Sequence, residues 1–423
     1  MYRFRASVPT LLFAVLALMT GCNGEPTGPP EAITELPRPL TTAEEAVIEG
    51  SNLFALELLR EVRAASDSPN VFLSPLSASM ALGMTLNGAA ENTWAQMRDV
   101  LGFAGLEEPA INESYRDLIA LLLELDPQVT FGLGNSVWAR EGIPFHDAFY
   151  DRVTTYFDAE AREVDFSDPA AKDAINAWVD DVTNGRITEM VQEIPPEMIM
   201  YLINAIYFNG DWREQFDPAR TSAAPFERAD GSTVSVPLMS INTDFRSFRT
   251  QAAMGVELPY GGDAFTAVAV LPADPERGIA EVVAELDAAT WAEWMAALDE
   301  ADAREVVVQL PRFELEYERT LNDDLTALGM TDAFSELQAD FTRLTPVDLP
   351  AGEGPPWVFI SEVKQKTFLK VDEEGTEAAA ATSVGIGLTS APPSYRFDRP
   401  FLFAIRERLS GTILFIGVIG DPS

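Results

Sequence analysis

Near the C-terminus, residues 373–390 read E-E-G-T-E-A-A-A-A-T-S-V-G-I-G-L-T-S. Four consecutive alanines would ordinarily favour a helix. Glycines on both sides of them and two β-branched residues oppose a helix. As a strand, the segment would alternate its side chains between two faces, and the face that carries Thr376 and Ala378 holds only small or apolar residues. The segment is therefore predicted to be an exposed loop that can enter a sheet with one face buried.

The run before this segment, T-F-L-K-V-D at 367–372, is strand-like and would be its neighbour in such a sheet. Gly375 would serve as the hinge, because glycine tolerates the change in dihedral angles. An exposed loop of this composition also invites proteolysis. A cut could then release the segment into the sheet. The alternative is an alanine-rich linker without structure, which composition favours and the alternation disfavours.

Charge and composition exclude several classes of partner. The chain has 423 residues, 47% of them hydrophobic, and 29 Lys plus Arg against 67 Asp plus Glu give a net charge of −38. Such a charge disfavours binding to nucleic acid or to an anionic membrane surface. No cluster of basic residues is present, so no heparin-like cofactor is expected.

The chain contains one cysteine and one histidine. An intrachain disulfide is impossible, and a zinc site built from Cys and His is nearly excluded, so we expect no metal or other cofactor. A Ser-His-Asp hydrolase would depend on His146 without a G-x-S-x-G motif, so no enzyme activity is predicted. His146 is expected to be a surface or capping residue at the start of a helix, and the glycines of G-L-G at 132–134 are expected in a strand or turn.

The N-terminus resembles a bacterial lipoprotein signal. Two arginines precede an apolar stretch at 8–19 that is too short to be a stable membrane anchor. The stretch ends in L-M-T-G-C-N, where cleavage would leave Cys22 to be acylated. We expect a signal peptide at 1–21, and the lipidated cysteine with a proline-rich extended tether at 22–42. The protein would then be attached to the bacterial cell envelope through its lipid, or secreted if Cys22 occurs there by chance.

A single α+β domain is predicted over 43–423, because helical patterns dominate early and strands late. Thr41 with Glu44, and Thr42 with Glu45, both form possible capping boxes for the first helix. Further helical patterns cover 111–125, 147–156, 170–184 and 279–298. Predicted strands are 70–77, which turns at Pro75 and is followed by a helix at 80–89, then 198–208, 265–272, 313–318 and a C-terminal hairpin around L-S-G. The nearly unbroken apolar run at 198–208 predicts a central strand covered on both faces, whereas 313–318 alternates and should have one wet face.

The segment E-E-G-T-E-A-A-A-A-T closely resembles the hinge of serpins, the serine protease inhibitor fold. Five further stretches match the family in order and spacing, so the resemblance covers nearly everything from residue 43 onward. They are N-V-F-L-S-P-L-S at 70–77, L-I-N-A-I-Y-F-N-G-D-W at 202–212, L-P-R-F at 310–313, A-F-S-E-L-Q-A-D-F at 333–341 and F-D-R-P-F-L-F at 397–403.

The resemblance implies a serpin fold with mixed sheets and a reactive loop at about 373–394. It implies that a serine protease cuts this loop and becomes trapped as an acyl-enzyme while the loop inserts as a strand. The hinge would comprise Glu374, Gly375, Thr376, Glu377, Ala378, Ala379, Ala380 and Ala381. Residues that govern opening of the sheet would be Ser74, Ser77, Asn204, Trp212 and Gln365.

One of these positions departs from the family pattern. Many serpins have a histidine where this chain has Gln365, and that histidine hydrogen-bonds beneath the sheet with the residue aligned to Asn204. Glutamine keeps the donor and the acceptor but cannot titrate. Opening of the sheet is therefore expected to depend less on pH.

The family's loop length implies a scissile bond between Thr389 and Ser390. Thr389 would then occupy the specificity pocket of an elastase-like or subtilisin-like protease, whereas Leu388 is an alternative that would suit a chymotrypsin-like protease. The expected partner is a target serine protease in a covalent complex with a monomeric inhibitor. A non-inhibitory serpin acting as a binding module is the second hypothesis, and a lipid-anchored hydrolase is the third. The second is disfavoured because 378–381 holds no bulky, charged or proline residue.

Overall fold

The computed structural model describes residues 32–346, 358–375 and 392–423. The helices are α1 (Thr42–Ala64), α2 (Pro75–Leu86), α3 (Glu91–Val100), α4 (Glu108–Glu124), α5 (Asp147–Phe157), α6 (Pro169–Val182), α7 (Ile279–Ala284), α8 (Ala288–Asp299) and α9 (Asn322–Ala327). The strands are β1 (Val71–Leu73), β2 (Val129–Arg140), β3 (Ala159–Val164), β4 (Met200–Gly210), β5 (Ser222–Glu227), β6 (Thr233–Phe245), β7 (Ser247–Arg249), β8 (Ala253–Pro259), β9 (Phe265–Pro272), β10 (Arg304–Pro311), β11 (Phe313–Thr320), β12 (Lys364–Val371), β13 (Ser394–Arg396), β14 (Phe401–Glu407) and β15 (Ile413–Ile419). The predicted mixture of helices and sheets is confirmed.

The described strands form four sheets. The largest has the order β1-β15-β14-β9-β8-β7, and a second has the order β13-β10-β6-β5. The other two are the sheet β3-β2-β4 and the two-stranded sheet β11-β12. The hydrophobic core is centred on the largest sheet, where every residue of β9, β14 and β15 is buried. These strands are nearly unbroken apolar runs, as expected for strands that are covered on both faces.

The first helix begins where its capping signal predicts. The Thr41 hydroxyl accepts a hydrogen bond from the Glu44 N–H at 3.2 Å, and the Glu44 carboxylate accepts one from the Thr41 N–H at 2.7 Å. Of the two capping boxes that the sequence allows, this first one forms. The two bonds satisfy N–H groups that would otherwise lack partners at the helix start.

The prediction of one helix over 279–298 is wrong. The chain forms α7 and then α8, because Asp287 between them caps a new helix and its carboxylate accepts a hydrogen bond from the Thr290 N–H at 2.8 Å. An aspartate side chain competes for backbone N–H groups in this way and favours a helix start over a helix interior.

The prediction of an extended tether is wrong for residues 32–40, a stretch that we call the N-terminal arm. The arm has no regular secondary structure, but five of its nine residues are partly buried against the domain. The Ile33 N–H donates to the Gly262 carbonyl at 2.7 Å, and the Arg408 guanidinium donates to the Ile33 carbonyl at 3.0 Å. Arg38 pairs with the buried Glu44 of α1. The arm is therefore part of the folded domain.

Strand β4 is covered on both faces as predicted, but it is not a central strand. Ile203 packs in a cluster with α6, whereas Ile206 and Phe208 belong to the main core on the opposite face. Within the described residues β4 pairs with β2 alone. Its other edge faces β12 without a backbone ladder. The hydropathy of a strand shows whether its two faces are buried, but not whether its two edges are paired. The prediction of a central strand therefore failed.

The predictions for two glycines, one histidine and strand β11 are confirmed. Gly132 and Gly134 lie within β2, and His146 is exposed at the N-cap of α5. The buried residues of β11 include Phe313 and Tyr317, and its glutamates face solvent.

In the part of the chain that the structure describes, no helix is long and apolar enough to cross a membrane.

Candidate functional site: the gap between β4 and β12 and its hinge

A gap separates the facing edges of β4 and β12. A cavity of 190 Å³ occupies one part of it, and a smaller cavity of 20 Å³ lies between the same strands nearer their C-terminal ends. Helix α2 forms the floor of the larger cavity. Each of the two strands thus has one edge whose N–H and C=O groups could pair with an additional strand.

A set of hydrogen bonds beneath the gap connects β12 to the start of α2. The Gln365 carboxamide accepts from the Ser74 N–H at 3.1 Å and donates to the Ser74 carbonyl at 2.6 Å. The Ser74 hydroxyl in turn donates to the Leu414 carbonyl of β15 at 3.0 Å. Both side chains are buried. Because Ser74 is the N-cap of α2, these bonds hold β12 against the helix that forms the floor of the gap.

The opposite wall of the gap has its own polar contacts. The Asn204 side-chain nitrogen donates to the Asn135 carboxamide oxygen of β2 at 2.8 Å, and the Ser77 hydroxyl donates to the Asn204 carbonyl at 3.3 Å. The structure therefore brings Ser74, Ser77, Asn204 and Gln365 around one gap. It contradicts the family-based expectation that residue 365 bonds to Asn204, because Gln365 uses its carboxamide on Ser74 and Asn204 uses its nitrogen on β2.

The predicted hinge begins at the C-terminal end of the gap, where Trp212 contacts the residues that lead into it. The Trp212 indole N–H donates to the Asp372 carbonyl at 2.9 Å, and its backbone N–H donates to the Glu374 carbonyl at 2.9 Å. The indole also stacks on Tyr260, with ring centroids 4.3 Å apart and an interplanar angle of 15°. Trp212 thereby anchors residues 372–374 to a rigid aromatic cluster.

Gly375 has a backbone conformation that requires glycine. Its φ is 141°, and it forms an isolated bridge with Asp211 just beyond β4. A side chain added here would collide with the carbonyl oxygen of Gly210 and the Cα of Asp211. The predicted hinge residue therefore lies where the chain leaves β12 and touches the end of β4.

Negative charge is concentrated at this hinge. Burial raises the pKa of Asp211, and the nearby carboxylates of Glu374 and Asp372 raise it further. Glu373 is compensated, since its carboxylate accepts from the Thr221 hydroxyl at 2.7 Å and lies 3.5 Å from the Arg312 guanidinium. The repulsion between Asp211 and the acidic hinge weakens the contact that holds the two strand ends together.

Several predicted residues lie outside the described part of the chain. These are Cys22, the hinge residues 376–381, and the loop residues Leu388, Thr389 and Ser390. Conversely, Asn135, Tyr260 and Asp372 belong to the site but were not predicted as parts of it. Asn135 and Tyr260 reach it only through tertiary contacts, whereas the proximity of Asp372 to Gly375 could have indicated it.

The geometry thus provides two open strand edges, a floor, and a hinge that connects one of those strands to the segment at 376–391. Comparisons with known proteins identify the class. The sequence profile described as Serpin (serine protease inhibitor) matches residues 49–422. The chain is 34% identical to Serpin B6 of Macaca fascicularis over 89% of this chain and 100% of that relative. It is 33% identical to human antithrombin-III over 84% of this chain and 77% of that relative. The chain belongs to the serpin family.

Solved structures agree with this assignment. The thermophilic serpin tengpin in its native state superimposes with a TM-score of 0.79 at 30% identity, over 92% of this chain and 97% of that one. Human thyroxine-binding globulin superimposes with a TM-score of 0.79 at 28% identity, over 90% of this chain and 100% of that one. The predicted serpin fold is confirmed. The family is described as serine protease inhibitors, and one of these solved relatives is named for binding thyroxine.

Proposed function

We propose that this protein is a suicide-type inhibitor of serine proteases. A protease attacks the loop at 373–394 and forms an acyl-enzyme, and the cut segment then inserts as a strand between β4 and β12. The proposal rests mainly on the gap. After β12 the chain reaches Gly375 at the end of this gap, next to two strand edges that face each other. Family membership supports the same function.

The energy for trapping would come from the inserted strand. Roughly a dozen new backbone hydrogen bonds, each contributing about 1 kcal/mol net, would be comparable with the whole stability of a typical domain. The uncut protein would therefore be a kinetically trapped state. The small Ala378–Ala381 run and the hinge residue Thr376 could enter between the strands without steric conflict.

The scissile bond is proposed to join Thr389 and Ser390, with Leu388–Thr389 as the alternative. A threonine in the specificity pocket suits elastase-like and subtilisin-like proteases, and a leucine suits chymotrypsin-like ones. The proposed partner is one protease molecule bound to a monomeric inhibitor. The low content of basic residues argues against a heparin-like cofactor, although one structural neighbour, protease nexin-1, was crystallised with heparin.

The proposed location is the bacterial cell envelope, with acylated Cys22 as the only contact with the membrane. A signal at 1–21 and the spacing of its apolar stretch from Cys22 support this proposal. Secretion without lipid is the alternative. Mass spectrometry of the mature protein with Cys22 intact or replaced by serine would distinguish them, since only an acylated N-terminus carries the added mass of the lipid.

The deciding experiment is incubation of the protein with pancreatic elastase and with subtilisin, analysed on a denaturing gel. We expect a covalent complex that resists detergent and has the summed mass of both proteins. Thr376→Arg is the informative variant, because it places a charge on the face to be buried and should convert inhibitor to substrate. Thr389→Arg is its control: it adds the same charge at the proposed cut site, so it should change which proteases are trapped and leave trapping intact.

A binding module on the same fold is the second candidate, and the similarity to thyroxine-binding globulin favours it. A binding module would be cleaved in the same incubation without a stable complex. Cleavage alone by elastase, subtilisin and chymotrypsin would therefore contradict the inhibitor proposal.

A further inference from the structure

Hydrogen bonds to backbone carbonyls hold the start of the hinge at the end of β4. The Phe216 N–H donates to the Glu373 carbonyl at 2.9 Å, and the Gln215 side-chain nitrogen donates to the Glu374 carbonyl at 3.3 Å. Trp212 contributes the two bonds described above. Because carbonyl oxygens accept all of these bonds, the bonds persist whether the neighbouring carboxylates are charged or neutral.

The side chain of Asp211 opposes this attachment. Asp211 follows the last residue of β4 and lies against Gly375 in an isolated antiparallel bridge. Burial raises the pKa of its partly buried carboxyl, and the charges of Glu374 and then Asp372 raise it further. Like charges that are held close together repel, so an ionised Asp211 destabilises the attached hinge.

The repulsion between Asp211 and Glu374 is not compensated. Asp372 is partly neutralised, because its carboxylate lies 3.0 Å from the Lys370 ammonium and accepts from the N–H groups of Glu374 and Gly375 at 3.1 and 3.3 Å. By contrast, no described cation lowers the pKa of Asp211. The negative charge of Glu374 therefore acts on Asp211 with little screening by protein groups.

The charged side chains on the adjoining loop at 260–263 are engaged with each other. Asp263 lies 3.4 Å from the Arg408 guanidinium and 3.7 Å from that of Arg246. The Arg213 guanidinium donates to the Gly261 carbonyl of the same loop at 3.2 Å. These contacts fix the loop that supports the end of β4, and they do not remove the repulsion at the hinge.

Insertion of the cut loop would change the path of the chain at Gly375. A side-chain atom added to Gly375 would point into the backbone of residues 210–212, at 2.4 Å from the Gly210 oxygen. The chain thus lies across the end of β4, whereas an inserted strand has to run beside the edge of β4 that faces β12. A force that weakens the contact between Gly375 and the end of β4 favours this change.

We infer that Asp211 is a positioning residue for the proposed inhibitory reaction: its negative charge repels Glu374, loosens the hinge and speeds insertion of the cut loop. The inference rests on the proposed function and adds a control of its rate. Gln365 beneath the gap cannot titrate. The charge of Asp211 would therefore make release of the hinge depend on pH, with a tighter hinge in acid.

Rapid-mixing kinetics tests this inference with whichever of elastase and subtilisin forms the complex. Asp211→Asn removes the charge and keeps the size of the side chain. At pH 7 it should lower the limiting first-order rate of inhibition about two- to fourfold, the effect of one partly exposed charge pair. The inhibitor concentration that gives half of this rate should not change, because it reports the encounter of protease and loop. Asp211→Glu keeps the charge and should retain the wild-type rate.

Thermal unfolding of the uncut protein gives a readout that a purely structural role would not change. At pH 7 Asp211→Asn should melt at a higher temperature than the wild type, because the ionised carboxylate destabilises the folded state. A carboxyl group whose pKa is raised on folding loses this penalty as the pH falls through the raised pKa towards its ordinary value of about 3.9. The two melting temperatures should therefore converge at about pH 4.

Asp302→Asn is the control for removing any one charge from a chain with a net charge of −38. Asp302 is exposed and precedes β10, whose other end leads to Arg312 beside the hinge residue Glu373. This variant should match the wild type in rate and show no convergence with pH. Equal rates for wild type and Asp211→Asn, or a melting difference that is independent of pH, would overturn this inference and leave the proposed function intact. Absence of a complex with wild-type protein would overturn both.

Discussion

At the scale of single residues, the hinge depends on a glycine that no other residue can replace without strain. Gly375 combines a φ of 141° with close backbone neighbours at the end of β4. Its predicted role as hinge rested on the general tolerance of glycine. The structure adds a specific reason, which is that the chain passes too close to Gly210 for any side chain.

Gly375→Ala is therefore expected to destabilise the uncut protein by about 2–3 kcal/mol, from backbone strain together with steric collision. Gly105→Ala is the matched control, because Gly105 has a φ of 85° and open space around its Cα. It should lose about 1 kcal/mol from strain alone. Urea unfolding of both variants measures the difference, and equal losses would show that the contact with the end of β4 has no energetic effect.

A buried ion pair near the centre of the largest sheet makes stability depend on pH. The Glu257 carboxylate lies 2.8 Å from Arg406 and 3.0 Å from Arg246, and it accepts a hydrogen bond from Thr266 at 3.0 Å. Burial alone would raise the pKa of Glu257, but the two arginines and the hydrogen bonds outweigh burial and lower it. A carboxylate with a lowered pKa in the folded state stabilises the protein above its unfolded pKa, and that contribution is lost as pH falls.

Glu257→Gln is expected to lower the free energy of unfolding by about 3 kcal/mol at pH 7, because buried Arg406 loses the nearer of its two carboxylates and keeps only Asp299 at 3.5 Å. The variant should also lose less stability than the wild type as the pH falls below about 4.3, the ordinary pKa of glutamate. Urea unfolding between pH 3 and pH 7 measures both effects. Glu285→Gln, which changes an exposed glutamate that pairs with Arg277, is the control. Parallel pH profiles for wild type and Glu257→Gln would refute the assignment.

At the scale of elements, a local capping signal located the start of one helix, whereas apolar periodicity missed a break between two others. The Thr41–Glu44 capping box correctly located the start of α1, because a cap needs only neighbouring residues. The apolar pattern over 279–298 continued through a break that Asp287 creates, so one predicted helix became two. Apolar periodicity shows which side of a helix faces the core. Two short helices that bury the same side therefore give the same pattern as one long helix.

The N-terminal arm is the element whose packing was predicted wrongly from the sequence. Its prolines suggested an extended tether, yet Ile33 bonds to the 260–263 loop, and the Gly261 N–H of that loop donates to the Asp211 carbonyl at 2.9 Å. The arm thus supports a loop that contacts the hinge region. Proline content restricts the backbone of a segment, but it does not decide whether the segment finds a surface to pack on.

Removal of residues 1–36 is expected to lower the free energy of unfolding by about 2 kcal/mol, the approximate sum of two lost hydrogen bonds. Removal of residues 1–31 is the matched control, since it leaves the described arm in place. Thermal and urea unfolding of the two truncated proteins compare them directly. If both are equally stable, the arm contacts contribute nothing to the folded state.

At the scale of the whole molecule, the proposed function requires that the native state is not the most stable arrangement of the chain. The facing edges of β4 and β12 lack a ladder within the described residues, and a strand in the gap would complete a continuous sheet. Closure of this sheet would satisfy backbone groups along both edges at once. Cleavage of the loop would remove the covalent constraint that prevents it.

Cutting the loop with a non-target protease is therefore expected to raise the melting temperature by tens of degrees, given about a dozen added hydrogen bonds. Differential scanning calorimetry of intact and cleaved protein measures the shift. Thr376→Arg protein, cut in the same way, is the control and should show a smaller rise. An unchanged melting temperature for cleaved wild type would mean that no strand is inserted.

Sequence patterns were enough to indicate the serpin family and the α+β composition and to predict a hinge, because capping boxes, alternation and a run of small residues are local. The open edge of β4, the bonds between Gln365 and Ser74 and the packing of the arm on the 260–263 loop became evident in the folded structure alone. These features depend on residues far apart in the chain, such as Ser74 and Gln365, and their distances are set by how whole elements pack. Local patterns contain no information about those distances, since packing is a property of the complete core.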